Sequence, residues 1–333
     1  MFGVGVGGAI GLVGSGFVLE NLSWHWLFLA GGAPVLVSSA LIWAFVPESP
    51  VRRGGRPDWL GAAVFSAALV CLLLAVTKGE AWGWLSFPVV GLAVASLCWL
   101  VVWVSVARRV PEPLIDLRTF GRPGMAWTNA ATVLVGFSLT AFMVLMPAFV
   151  QVDSSVAGHG FDASLVESGL FFLPSCIAMI VCGPLAGWLG ARVSHAVVLR
   201  IGLASSAGAL TLLAFAHDDV SVALVWMGLL GIGIAFALAA IGTLVIEHSH
   251  ASETSVSSGV NMIMRTVGAS VGAQLAAAVI AAHTLEGALI PDEAGFTIAF
   301  ALAAGAATLA LVPGFALGGR ARRLRRRVAL SPA

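Results

Sequence analysis

Charge is scarce in this chain. Only 10% of its 333 residues are Asp, Glu, Lys or Arg, against roughly a quarter in ordinary soluble domains. Hydrophobic side chains fill 59% of positions instead, which excludes soluble enzymes and secreted domains. Lysine is the rarest of the charged residues, with Lys78 standing alone. No Gly-x-x-x-x-Gly-Lys motif occurs either, so no phosphate cradle is available and ATP-driven work by the chain itself is not expected. Cysteine is sparse: Cys71, Cys98, Cys176 and Cys182 all fall in apolar runs, outside any polar loop that could hold a disulfide or zinc framework, and read as small packing residues. No Lys or Arg precedes the Gly-rich stretch Gly3 to Gly16, so the basic start of a signal peptide is missing and the chain reads as beginning inside a helix.

What is present is a succession of long apolar runs. They fall at about 3 to 19, 25 to 46, 59 to 77, 84 to 106, 124 to 150, 166 to 190, 195 to 216, 220 to 246, 257 to 282 and 296 to 317. Each is long enough to cross a bilayer as a helix, and hydrocarbon offers no partner to an unpaired amide, so an all-α polytopic membrane bundle of about ten transmembrane helices is expected. The lipid bilayer is then its immediate partner.

Ten crossings sort the connections into two alternating sets. One set holds Arg52, Arg53, Arg56, Arg108, Arg109, Arg118, Arg122, Arg192, Arg200, Arg265 and the tail Arg320, Arg322, Arg323, Arg325, Arg326 and Arg327. The other holds Lys78 with Glu20, Glu80, Asp153, Asp162, Glu167, Asp218, Asp219, Glu286, Asp292 and Glu293. Basic residues mark the cytoplasmic face, so both termini are expected there, in a cell (plasma or inner) membrane. Trp24, Trp26, Trp82 and Trp84 at outer ends and Trp59 and Trp103 at inner ends suit an interfacial belt. The net charge of +1 implies no nucleic acid, and the basic tail from Gly319 to Arg327 reads as a topological anchor.

Membrane enzymes and pumps hold ionisable groups in mid-span, where a charge costs at least about 2.5 kcal/mol. Here every carboxylate falls in a loop or at a helix end, and Arg265 falls a couple of turns into its helix. No proton relay is visible and no catalytic constellation converges. His248 and His250 beside Glu247 lack further ligands at a fixed spacing, so neither a metal site nor a cofactor is expected. The spans keep only uncharged polar groups: Thr128, Asn129, Thr132, Thr243, Asn261 and Gln274. Each needs a partner in hydrocarbon, either another helix or a wet cavity.

The stretch GGAIGLVGSGFVLENLSWHWLF, Gly7 to Phe28, resembles the fifth helix and following loop of the fourteen-span drug/proton antiporter branch of the major facilitator superfamily. Gly7, Gly11 and Gly16 match its signature G-x-x-x-G-P-x-x-G-G, while Leu12 replaces the proline and Ser15 a glycine. Further matches follow in order. Asp58-Trp59-x-Gly61 resembles the start of the helix pair inserted between the two six-helix halves, and Pro113 to Phe120 (PLIDLRTF) the linker before the second half. Pro147 to Gln151, Gly169 to Pro174 and Gly187 to Arg192 resemble later segments, with Ala191 in an acidic position. Gly259, Asn261, Arg265, Gly268 and Gly272 reproduce G-x-N-x-x-x-R-x-x-G-x-x-x-G.

That resemblance implies a domain plan. Residues 1–46 correspond to the last two helices of the first half, 47–58 to a cytoplasmic loop, 59–106 to the inserted pair, 107–123 to a linker, 124–317 to the second half and 318–333 to a basic tail. The first four helices of the family have no counterpart here. The resemblance further implies a fragment of a secondary active transporter exporting hydrophobic or amphiphilic drugs by alternating access, with the proton as coupling ion. The other reading is a truncated, non-transporting or accessory helix bundle. By family analogy Asn129, Thr132, Phe142, Phe236, Thr243 and Gln274 are cavity candidates, Asn261 and Arg265 form a gate or interhelical hydrogen bond, and Gly7, Gly11 and Gly16 pack the first helix against the other half.

Overall fold

The structure, a computed structural model, describes residues 2–47, 58–110, 121–250, 253–284 and 291–317. Arg52, Arg53, Arg56, the segment Pro113 to Phe120, Glu286 and the basic tail lie outside the described residues, as does most of the loop, linker and tail of the domain plan. Ten helices long and apolar enough to cross a membrane occur among the described residues. No strand accompanies them, only an isolated bridge between Thr284 and Pro291.

The first four spans are α1 (Phe2–Asn21), α2 (His25–Phe45), α3 (Trp59–Trp82) and α4 (Phe87–Ala107). The fifth is α5 (Pro123–Val150), and a one-turn helix α6 (Ser154–Ala157) follows it. The sixth is split into α7 (Leu165–Phe171) and α8 (Leu173–Arg192). The remaining four are α9 (His195–Phe215), α10 (Val220–His248), α11 (Thr254–Ala282) and α12, which starts at Glu293 in a span that runs to Leu317.

Local chemistry sets most of these boundaries. Asp58 caps α3 by accepting the Gly61 N–H at 2.7 Å, which explains the Asp-Trp-x-Gly spacing. Ser164 and Glu167 form a reciprocal capping box on α7, at 3.2 and 2.9 Å. Asp219 caps α10 through the Ser221 N–H at 2.7 Å. The break at Phe172 has its cause two residues on: Pro174 has no N–H for the Leu170 carbonyl, and the Phe172 N–H tightens onto Gly169 at 3.1 Å instead.

Packing is uneven. From α5 to α12 the spans share one dense core, with Phe142, Phe149, Phe296, Phe300, Met125 and Leu145 among its fully buried side chains. Lipid tails are as apolar as these side chains, so shape fit and dispersion hold the helices together. The α3 and α4 helices pair around Phe65 and Trp103, whose rings lie 4.9 Å apart, and the Ser96 hydroxyl donates to the Ala68 carbonyl at 2.9 Å. This pair meets the rest through Val260 of α11. The α1 helix lies against α7 and α8, whereas α2 buries no residue.

Among the described residues, members of the two charge sets make contacts at opposite ends of the bundle. At one end Arg122 donates to His250 at 2.6 Å and His195 meets Glu247 at 2.7 Å. At the other, Glu20 accepts the Val166 N–H at the start of α7 at 2.9 Å, and His217 meets Glu293 at 3.3 Å.

Candidate functional site: the α5 to α11 seam and the open face of α11

The closest helix contact runs between α5 and α11. A Cβ on Gly268 would strike the Val133 carbonyl, one on Gly272 the Phe137 carbonyl, and one on Gly136 the Arg265 carbonyl. Only hydrogen fits at these points, so the backbones touch. Approach at this range brings the polar groups of the two helices together. Asn261 Nδ2 donates to Asn129 Oδ1 at 2.9 Å and to Thr132 Oγ1 at 2.8 Å. The Thr132 hydroxyl donates to the Thr128 carbonyl at 2.9 Å, and Thr128 to the Gly124 carbonyl at 2.8 Å. In this network Asn129 Nδ2 is a buried donor without an acceptor. An unmet donor of this kind is worth about 1 to 3 kcal/mol to whatever acceptor reaches it.

This geometry changes the expectation for the cavity residues. Asn129 and Thr132 are 4% and 1% exposed, and Phe142 and Phe236 are also buried. Phe142 stacks edge-on to Phe172 at 5.5 Å inside the core. The physical reason is that the Asn129 side-chain carbonyl oxygen and the Thr132 hydroxyl find partners on α11 and α5, and only Asn129 Nδ2 is left without one. Thr243 and Gln274 keep partial exposure, Thr243 with its hydroxyl on the Ala239 carbonyl at 3.2 Å.

The opposite face of α11 was not anticipated. Ser258, Met262, Thr266, Ser270 and Gln274 recur every four residues along it, and the first three are exposed. Thr266 donates to the Met262 carbonyl and Ser270 to the Thr266 carbonyl, each at 3.0 Å. Asn261, Gly268, Gly272 and Ala276 occupy the buried face. The helix is thus polar outward and small inward, the reverse of what lipid contact favours. A period-four scan for Ser, Thr and Gln would have found this row in the sequence.

Arg265 flanks it, half-buried, with Nη2 2.7 Å from the Met262 sulfur. Because α11 starts at Thr254, Arg265 lies three turns, about 16 Å, from the start of the helix. Among the described residues no carboxylate pairs with it. An ionisable side chain within a span marks a candidate functional position.

The glycine face of α1 is also shifted. Cβ atoms on Gly5 and Gly16 would come within 2.8 Å of Ile180 Cγ1 and 2.6 Å of the Leu165 carbonyl, and Gly8 faces the Cys176 sulfur. Gly169 of α7 reciprocates against the Leu12 carbonyl at 2.8 Å. Gly7 and Gly11, expected on this face, have nothing within 4 Å of a Cβ. With 3.6 residues per turn, positions 5, 8, 12 and 16 form one stripe and 7 and 11 fall on another.

Elsewhere, His248 and His250 do not share a ligand site. His248 Nδ1–H donates to the Leu244 carbonyl at 2.7 Å, while His250 takes the Arg122 guanidinium.

The described residues thus form a polytopic helical bundle with a glycine-sealed seam and a row of hydroxyl and amide side chains turned away from it. The Major Facilitator Superfamily model matches residues 1–273 and 129–332, and the chain belongs to that family. It is 30% identical over 292 residues to the multidrug resistance protein Stp of Mycobacterium tuberculosis, covering 84% of this chain and 52% of Stp. It is 26% identical over 296 residues to the tetracenomycin C resistance and export protein of Streptomyces glaucescens, covering 87% of this chain and 53% of that protein. The lincomycin resistance protein of Streptomyces lincolnensis is 28% identical over 301 residues, covering 90% and 60%. The chain therefore spans about half the length of the curated relatives it matches. Among solved structures, a point mutant of the nucleoside transporter NupG superposes with a TM-score of 0.53 at 15% identity, covering 95% of this chain and 81% of that one, a likeness of fold.

Proposed function

We propose that the chain forms part of a secondary active exporter of hydrophobic or amphiphilic compounds, working by proton-coupled alternating access in the cell membrane with its arginine-bearing end in the cytoplasm. The carrying observation is the outward polar row of α11, Ser258, Met262, Thr266, Ser270 and Gln274. Hydrocarbon does not reward such a face, whereas a wet path between two lobes does. The names of the relatives, multidrug resistance and antibiotic export, support the substrate class. In this reading the α5 to α11 seam is the rigid wall of the second lobe. The row on α11, with Thr243 and Gln274, faces the path. Arg265 closes its cytoplasmic side, and the glycine stripe of α1 seals the first lobe to the sixth span. Few fixed donors along a Met-containing wall favour broad acceptance over tight recognition.

The test is dye accumulation in a host stripped of efflux pumps. The full-length protein is expected to lower accumulation of a lipophilic cationic dye, and a protonophore to abolish the effect. Equal accumulation with and without protonophore removes proton coupling. Thr266→Val and Gln274→Ala are expected to change the rank order of exported dyes at unchanged protein abundance. Falling abundance with an unchanged rank order would move both residues into packing.

A further inference from the structure

At the end of the bundle opposite the arginines, α9 stops at Phe215 and the chain turns through His217, Asp218 and Asp219 into α10, beside the first turn of α12 at Glu293. The His217 ring is 5% exposed and lies edge-on to Phe149, centroids 4.8 Å apart. Its Nδ1–H donates to the Leu213 carbonyl at 2.8 Å, which leaves the lone pair of the neutral ring on Nε2. That Nε2 is buried, has no hydrogen-bond partner, and sits 3.3 Å from Glu293 Oε1. Asp218 adds a second carboxylate, and one ligand atom from each of the three residues lies within 4.8 Å of the others.

An imidazole lone pair facing a carboxylate oxygen is acceptor against acceptor, and neither brings a proton to share. The contact is relieved by positive charge between them. A single proton would join His217 to Glu293 and leave Asp218 without a role, whereas a divalent cation engages all three. Asp219 does not converge with these three; its Oδ1 caps α10, accepting the Ser221 N–H at 2.7 Å and the Ser221 hydroxyl at 2.5 Å.

We propose that His217, Asp218 and Glu293 bind a divalent transition-metal cation of the Zn2+ class. One imidazole nitrogen with two carboxylate oxygens is a mixed set suited to such an ion, with a fourth position left to water. The Leu213 carbonyl behind His217 supplies the orienting contact that metal-bound imidazoles use. His217 is the fixed anchor. Asp218 and Glu293 are exposed and need only side-chain rotation to close on the ion. Closure ties the α9 to α10 turn to the start of α12, which are separated by about seventy residues of chain.

The test is Zn2+ titration of the purified full-length protein, metal-stripped and with its thiols alkylated, followed by calorimetry. One Zn2+ per chain is expected. Glu293→Gln and Asp218→Asn, both at exposed positions, should each weaken binding at least tenfold. His217→Ala should do the same, and His195→Ala, which removes the histidine paired with Glu247 at the other end, should leave it unchanged. Failure of the parent protein to take up Zn2+, or equal affinity in Glu293→Gln and His195→Ala, overturns the proposal.

Discussion

Gly268→Ala is the sharpest test of the α5 to α11 seam. The added methyl would strike the Val133 carbonyl, and the Val133 carbonyl carbon would be 2.7 Å from it, against the 3.4 Å or more of ordinary contact. Neither partner is a flexible side chain, so α11 has to move off α5 by about 1 Å. A gap of that size forfeits a quarter to a half of the dispersion at each touching atom. Overpacking of this sort costs about 1 to 3 kcal/mol. The shift also stretches the two bonds from Asn261, now 2.9 and 2.8 Å, beyond hydrogen-bonding range. Such bonds are worth about 0.6 kcal/mol each inside membrane proteins. The expected loss is therefore about 2 to 4 kcal/mol. Gly259 is the internal control, since it lies in the same helix with nothing within 4 Å of a Cβ. There alanine removes backbone freedom without a clash and gains about 0.5 to 1 kcal/mol. Denaturant titration of detergent-purified full-length protein, read by tryptophan fluorescence, separates the two. Equal midpoints for Gly268→Ala and Gly259→Ala would refute the close-contact account.

Three further outcomes follow from the geometry. Gly16→Val should destabilise the α1 to α7 contact by about 1 to 3 kcal/mol, while Gly14→Val, which meets nothing within 4 Å, should not; the same denaturant titration compares them. Asn261→Ala removes the donor shared by Asn129 and Thr132 and should lower stability by about 1 to 2 kcal/mol; a double-mutant cycle with Asn129→Ala should show coupling, and strict additivity would contradict the network. The Asp219 carboxyl is held below its ordinary value of 3.8 by hydrogen bonds from the Ser221 side chain and N–H. Its capping of α10 is therefore complete above 3.8 and fades as pH falls through the lower folded value. Amide exchange at Ser221 should accelerate in that acidic window, and Asp219→Asn should flatten the dependence.

Much of the fold was legible because the hydrocarbon sets a length rule. The expected spans coincide with the observed helices to within a few residues, and the described members of the two charge sets fall at opposite ends. What one sequence could not fix was azimuth. Gly7 and Gly11 share one helix stripe as Gly5, Gly8 and Gly16 share another, and spacing alone does not say which stripe meets a neighbour. Asn129 and Thr132 were visible as polar residues in a greasy span, but their burial depends on where Asn261, more than 125 residues later, places its amide. The break at Phe172 follows from Pro174, a local signal that the continuous apolar run concealed. The Ser- and Thr-rich first turn of α11 hid its start, which falls at Thr254, three residues before the expected 257. His217 and Glu293 lie too far apart in the chain for any spacing rule to join them.

The hairpin of α3 and α4 carries its own small cluster, Val64, Phe65, Trp103 and Ala107, and touches the rest through Val260. Ile263 packs beside Val260 on the same cluster, so the hairpin leans on one face of α11 and its packing is otherwise its own. Removal of these two helices is therefore expected to leave the shared core of α5 to α12 packed as it is.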